Sequence, residues 1–170
     1  LFLRLHDGSE TEITDSPKCA EVEDLLACNN HKTLVTYYKE PGIYLLYVKL
    51  LKGFRYLMVD DATGATHVLA GAPIWSPDRI TFVTISQSPD EPSSLNGFEV
   101  WSTADGQITR HLSYQLPLYG TVEFDKWVEN DECLIYVRPG RDDQQSYEAT
   151  ELDVKQSDEG VSVEARFEAP

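Results

Sequence analysis

Residues 67–83 read HVLAGAPIWSPDRITFV, and residues 98–112 read FEVWSTADGQITRHL. Short runs rich in Val, Ile, Phe, Trp and Thr are broken here by turn formers, and no apolar repeat runs at helical spacing. In Ser76-Pro77-Asp78, Pro fixes the second position of a β-turn while Ser and Asp cap it through hydrogen bonds to backbone. Asp105-Gly106 supplies the left-handed backbone that a tight hairpin between twisted strands requires. The pattern is that of antiparallel β-structure.

The same hairpin recurs along the chain. Residues 3–8 (LRLHDG) lead into 9–14, residues 56–64 (YLMVDDATG) into 65–69, and residues 98–106 into 107–112. A weaker copy passes from 151–154 through Asp158-Glu159-Gly160 into 161–167. Gly64 and Gly106 are 42 residues apart, Gly8 and Gly64 are 56 apart, and Gly106 and Gly160 are 54 apart. A period of roughly 40–55 residues suits blades of four strands. Further strands are predicted at 33–39, 43–50, 80–86, 121–128 and 132–138, with turns at Pro41-Gly42 and Lys52-Gly53. One short helix is predicted at about 17–27, from Ser16 as N-cap, Pro17 at the first helical position, and Val22, Leu25 and Leu26 at helical spacing. The chain is therefore expected to be all-β. It would form one domain, with a hairpin over 1–14, the short helix and a linker over 15–32, and blades over about 33–70, 74–113 and 121–168.

The stretch 67–83, continued by 98–112, resembles the repeat of TolB-type β-propellers. In that repeat a Leu-Thr and a short gap precede Trp-Ser-Pro-Asp-Gly, an apolar strand, and a second apolar strand ending in Asp-x-x-Gly. Trp75-Ser76-Pro77-Asp78 carries the likeness, and Arg79 stands where the pattern has Gly. The match covers about one blade well and reaches the flanking repeats through their hairpins. Counted by hairpins the chain holds about three and a half blades, which resembles a small, incomplete or atypical propeller, or a piece of a longer one. A periplasmic or otherwise exported location is what the resemblance implies.

A chain of 170 residues can bury roughly 70% of its unfolded surface and needs no metal or disulfide to fold. With 14 Lys+Arg against 29 Asp+Glu, its net charge is −15. Such a chain lacks the clustered cations that phosphate contacts require, which argues against nucleic acid as a partner. No apolar run approaches the ~20 residues of a membrane-spanning helix. The numbering starts at Leu1 and not at Met, so either a processed form or an excised piece is expected, and the compartment has to be inferred. Cys19, Cys28 and Cys133 form no CxxC and no Cys/His cluster at zinc spacing, and no cofactor is expected. A full helix between Cys19 and Cys28 would hold them about 13 Å apart, beyond the ~7 Å a disulfide tolerates, so helix and local bridge exclude each other unless the helix is short. A Cys19–Cys28 bridge, a link from either to Cys133, and three reduced thiols all stay open. A bridge would fit the exported setting.

Several motifs have a plain structural reading beside a functional one. Trp75, Trp101 and Trp127 could form a sugar-stacking platform, but the first two fall where blades bury large apolar groups, so core packing is expected. His6, His31, His67 and His111 are scattered, and neither G-x-S-x-G nor H-E-x-x-H is present. Surface or strand-edge histidines are expected. The acidic pairs Asp60-Asp61, Asp90-Glu91 and Asp142-Asp143, and the run 129–132 (ENDE), lack calcium-loop spacing and are expected as solvated loops. Two connections exceed hairpin length, 87–96 (QSPDEPSSLN) and 140–146 (GRDDQQS), and long loops on a rigid scaffold tend to carry recognition. The apolar segment 114–119, with Tyr114 and Tyr119, suits an interface anchor as well as a core crossing.

The reading that follows is a non-catalytic interaction module whose acidic loops dock on a basic protein partner. The candidate partner-binding residues are Ser88, Asp90, Glu91, Ser93, Ser94, Tyr114, Tyr119, Asp142 and Asp143. In size, compartment and blade pattern the chain is also similar to small periplasmic immunity proteins that plug the active sites of secreted cell-wall amidases with a loop. That likeness implies an inhibitor role, with 87–96 as the inserted loop. A glycan-binding protein or carboxylate-based hydrolase is the alternative, and would need two carboxyl groups ~5 Å or ~6.5–9.5 Å apart. A structural subunit of a larger envelope assembly is a third reading, and would expose strand edges.

Overall fold

The computed structural model describes residues 1–15, 31–50, 53–87, 95–116, 120–138, 150–157 and 160–166. The chain is all-β, with strands β1 (Phe2–Arg4), β2 (Glu10–Glu12), β3 (His31–Tyr38), β4 (Ile43–Lys49), β5 (Phe54–Asp60), β6 (Thr66–Leu69) and β7 (Pro73–Trp75). There follow β8 (Thr81–Ser86), β9 (Gly97–Ser102), β10 (Thr109–Gln115), β11 (Thr121–Trp127), β12 (Glu132–Arg138), β13 (Thr150–Ser157) and β14 (Gly160–Arg166). The described strands form one two-stranded and three four-stranded antiparallel sheets, each four-stranded sheet joining consecutive strands. The helix predicted at about 17–27, with Cys19 and Cys28, lies outside the described residues. Two compact units are present, Leu1–Leu69 and Ala70–Pro170.

In the first unit, the β1–β2 hairpin lies on one face of the β3–β6 sheet. Alternation along β4 and β5 puts Leu46 and Val59 on that face, where Leu3 of the hairpin packs with them and Ile13, Tyr44 and Leu57 surround the contact. Leu45 and Met58 pair on the opposite face and are also buried, so the two central strands carry apolar residues at successive positions. Each fully buried side chain of this size stabilises the fold by about 1.5–3 kcal/mol. The turns follow their sequence signals: the Asp60 carboxylate accepts the N–H groups of Ala62 and Thr63 at 2.8 and 2.9 Å, and Gly64 takes φ 72°. The outer edge of β1 is engaged, because the Tyr44 hydroxyl donates to the Arg4 carbonyl and the His6 N–H donates to the Asp61 carbonyl at 2.8 Å. Blocking an edge in this way discourages strand addition.

In the second unit, two four-stranded sheets face each other. Val83, Phe98 and Val100 from one pack against Val122, Cys133, Ile135, Val137, Leu152 and Val154 from the other. The second face of the β7–β10 sheet carries Trp75, Phe82 and Trp101, with Phe82 and Trp101 parallel at 6.0 Å and Trp75 against Phe82 at 4.6 Å. Trp101 is buried, as expected of a core residue, while Trp75 and Trp127 are half-buried. Cys133 is a free, buried thiol pushed up to about 12 by desolvation and by the nearby Asp153 and Glu132 carboxylates. A link from Cys133 to either other cysteine is thereby set aside.

The turn between β7 and β8 resolves what the missing Gly does. The Ser76 hydroxyl lies 2.7 Å from Asp78 Oδ1 and accepts the Thr81 N–H at 3.1 Å, while Asp78 Oδ1 accepts the Ile80 N–H at 3.0 Å. These bonds close the turn and hold Arg79 at φ 61°, the conformation a Gly would adopt freely. A left-handed non-Gly residue costs about 1–2 kcal/mol, offset in part by the larger entropy loss of Gly. Arg79→Gly is therefore expected to stabilise the fold by about 0.5–1 kcal/mol, read as a higher urea midpoint with an unchanged slope.

Candidate functional site

Strand order brings three connections to one end of the second unit. Ser86 at the end of β8 pairs with Gly97 at the start of β9, which pairs with Gln115 at the end of β10. In the neighbouring sheet, Thr121 at the start of β11 pairs with Arg138 at the end of β12, and Val137 pairs with Thr150 at the start of β13. The connections 88–94, 117–119 and 139–149 all leave from and return to this end.

Side-chain amides fix the bases of these connections. Gln87 Nε2 donates to the Val122 carbonyl at 2.6 Å, and Asn96 Nδ2 donates to the Gly120 carbonyl at 3.2 Å. The Asn96 carbonyl in turn accepts the Leu116 N–H at 2.7 Å. Both ends of the 88–94 connection are thus tied to the start of β11 in the facing sheet. Tyr114 is half-buried, its ring stacked on Phe98 at 4.9 Å at the margin of the core. Ser88, Asp90, Glu91, Ser93, Ser94, Tyr119, Asp142 and Asp143 lie outside the described residues. The anchors Gln87 and Asn96 were missed by sequence reasoning, although an amide at each end of a long polar connection was a readable signal.

A buried carboxylate lies on the second face of the β7–β10 sheet. Glu99 is 4% exposed; its Oε2 accepts from Thr84 Oγ1 at 3.1 Å, Trp101 Nε1 at 3.2 Å and the Ala70 N–H at 3.3 Å. Its Oε1 accepts from Arg110 Nη1 at 3.0 Å, and the Arg110 guanidinium lies 5.7 Å from the centre of the Trp101 ring. Four donors on one carboxylate hold both of its oxygens in place.

A polar cluster lies at the other end of the same sheets. The Ser102 hydroxyl is 2.7 Å from His111 Nε2, Gln156 Nε2 is 3.3 Å from the same nitrogen, and Thr81 Oγ1 is 3.4 Å from Gln156 Oε1. Gln156 belongs to β13, so the cluster bridges the two sheets. Ser102 is buried and no carboxylate orients the other ring nitrogen of His111 among the described residues, so the pair lacks the geometry of an activated nucleophile. The described residues hold no group of three or more potential metal ligands.

In the first unit, Asp60 and Asp61 are buried, which corrects the expectation of a solvated acidic loop. Asp60 caps its own turn, and Asp61 Oδ2 accepts from the Tyr37 hydroxyl at 2.5 Å. That bond, with burial and the carboxylate charge, raises the Tyr37 phenol to about 12. Because the folded-state value lies above the unfolded 10.0, the contribution is complete below pH 10 and is lost as pH rises through about 12. Tyr37→Phe is expected to lose about 1–2 kcal/mol at neutral pH, a deficit that shrinks above pH 10 in urea unfolding. Absorbance titration of the difference between the two proteins should show the missing phenol titrating near 12.

Comparison with protein-family models, with curated proteins and with solved structures finds no match.

Proposed function

We propose that the chain is a non-catalytic, propeller-like interaction module, working in an exported compartment, that docks on a basic protein through the loop end of its second unit. What supports the reading is the convergence of 88–94, 117–119 and 139–149 on one anchored end, in segments whose sequence holds five carboxylates against one Arg. A rigid base lowers the ordering cost of binding, and clustered negative charge speeds encounter with a cationic surface. Inhibition of a secreted cell-wall enzyme by loop insertion is the specific form of this proposal.

The test is capture of exported proteins on the immobilised chain, eluted by rising salt, followed by binding kinetics of the captured protein. A single basic enzyme is expected, with association slowed about tenfold at low salt by combined Asp90→Asn, Glu91→Gln, Asp142→Asn and Asp143→Asn and nearly equal at high salt. Replacing 88–94 with a short Gly/Ser linker, while keeping Gln87 and Asn96, should abolish inhibition without unfolding the protein. Unaltered association by the neutralised variant, or full inhibition by the loop-replaced one, would overturn the proposal.

A further inference from the structure

Five of the six outer strands of the four-stranded sheets are defended against strand addition, and β14 is the exception. β3, β10 and β11 each carry one extra residue relative to their neighbour, at Val35, His111 and Asp125. β6 and β7 are only four and three residues long. Bulges and short length are two ways in which sheets keep further strands off their edges. β14 instead pairs with β13 over seven consecutive residues, Gly160 to Arg166, with no shift of register and no Pro. Among the described residues its backbone bonds only to β13, so the N–H and carbonyl groups along its outer side have no described partner.

The side chains of β14 divide by alternation. Val161 and Val163 are half-buried against the core of the second unit, while Ser162 and Glu164 lie on the opposite face and are exposed. Glu164 stands directly opposite Asp153 of β13, whose Oδ1 is buried without a hydrogen-bond partner. Like charges directly opposite one another destabilise a sheet. Among the described side chains neither carboxylate has a cationic partner, and the neighbouring Lys155 is bound to Glu132 at 3.3 Å.

We propose that β14 takes up an extended segment of a partner protein as a fifth strand, one in which apolar residues alternate with Lys or Arg. Main-chain bonds supply the affinity in such an addition, and alternate side chains supply the selectivity. The apolar residues would continue the row of Val161 and Val163, and a cation beside Glu164 would relieve its repulsion from Asp153. Neither a glycan nor a nucleic acid can continue a peptide ladder. A second copy of the chain would set its own Glu164 and a net charge of −15 against the same edge. The edge draws on none of the three loops, so either proposal can fail without the other.

The experiment is fluorescence anisotropy with a labelled peptide of alternating Val and Lys, beside one of alternating Val and Glu and a Val/Lys peptide with Pro at two adjacent central positions. Adjacent prolines remove an N–H from the ladder whichever edge the peptide presents. Only the unbroken Val/Lys peptide is expected to bind, and hydrogen exchange should show protection gained within 160–166. Glu164→Lys should weaken binding about tenfold. Its thermal midpoint should stay at or above that of the wild type, because the side chain is exposed and Asp153 gains a cation. No binding, equal binding of the Pro-broken peptide, protection outside 160–166, or an affinity unmoved by Glu164→Lys would each overturn the proposal. So would a dimer paired through β14, seen by sedimentation and left intact by the peptide.

Discussion

Glu99→Ala is expected to destabilise the second unit by about 3–5 kcal/mol, the range for removing one member of a buried charged network. The cost arises from what remains. Thr84 and Trp101 are almost wholly buried, so their donors, with the Ala70 N–H, lose an acceptor that water cannot replace. Arg110 contributes less, because its side chain is 53% exposed and its guanidinium can turn to solvent. Glu99→Gln retains an acceptor oxygen and nearly the same shape, and should cost about 1–2 kcal/mol. Urea unfolding monitored by tryptophan fluorescence reads both, since Trp101 is itself a ligand of the carboxylate. Alanine within 1 kcal/mol of wild type would contradict the structural role assigned to Glu99, and a gain in stability would mark it as a strained functional acid.

Gly71→Ala is expected to be as damaging for a different reason. A Cβ placed on Gly71 would lie 2.0 Å from the carbonyl oxygen of Ile85 and 2.9 Å from its carbonyl carbon. Both are backbone atoms of β8, so no side chain can move aside and the strand itself must shift. Overpacking costs typically 1–3 kcal/mol and more where backbone is displaced, so about 3 kcal/mol or more is expected, or loss of soluble protein. Gly64→Ala is the control. There the left-handed φ of 72° is strained, but the nearest atom is a flexible Leu5 methyl at 3.4 Å. About 1 kcal/mol should be lost at that site. Similar losses at the two positions would show that β8 yields more readily than the 2.0 Å approach implies.

The strands were legible because their signals are local. The run 132–138 is β12 residue for residue, and the predicted 80–86 differs from β8 only at Ile80, whose N–H is taken by Asp78 Oδ1 in the preceding turn. The hairpin glycines 8, 64, 106 and 160 all have positive φ, as their turn roles require. What stayed hidden depends on register. Glu99 lies between Phe98 and Val100, where simple alternation would turn a side chain to solvent, yet β9 is buried at every residue. Its partner Arg110 reaches it only because β10 shifts register between Arg110 and Leu112. Asp60 and Asp61 likewise read as solvated because burial of a turn carboxylate depends on distant residues such as Tyr37. The convergence of the three loops was invisible until strand order was known.

The two amide anchors at Gln87 and Asn96 also make the connection between them a replaceable cassette. Their bonds go to main-chain carbonyls of Val122 and Gly120, which no substitution in the facing strand removes. The seat is therefore indifferent to what is inserted, and loop-closure entropy rises only slowly with length. A protein engineer could display foreign peptides at this seat.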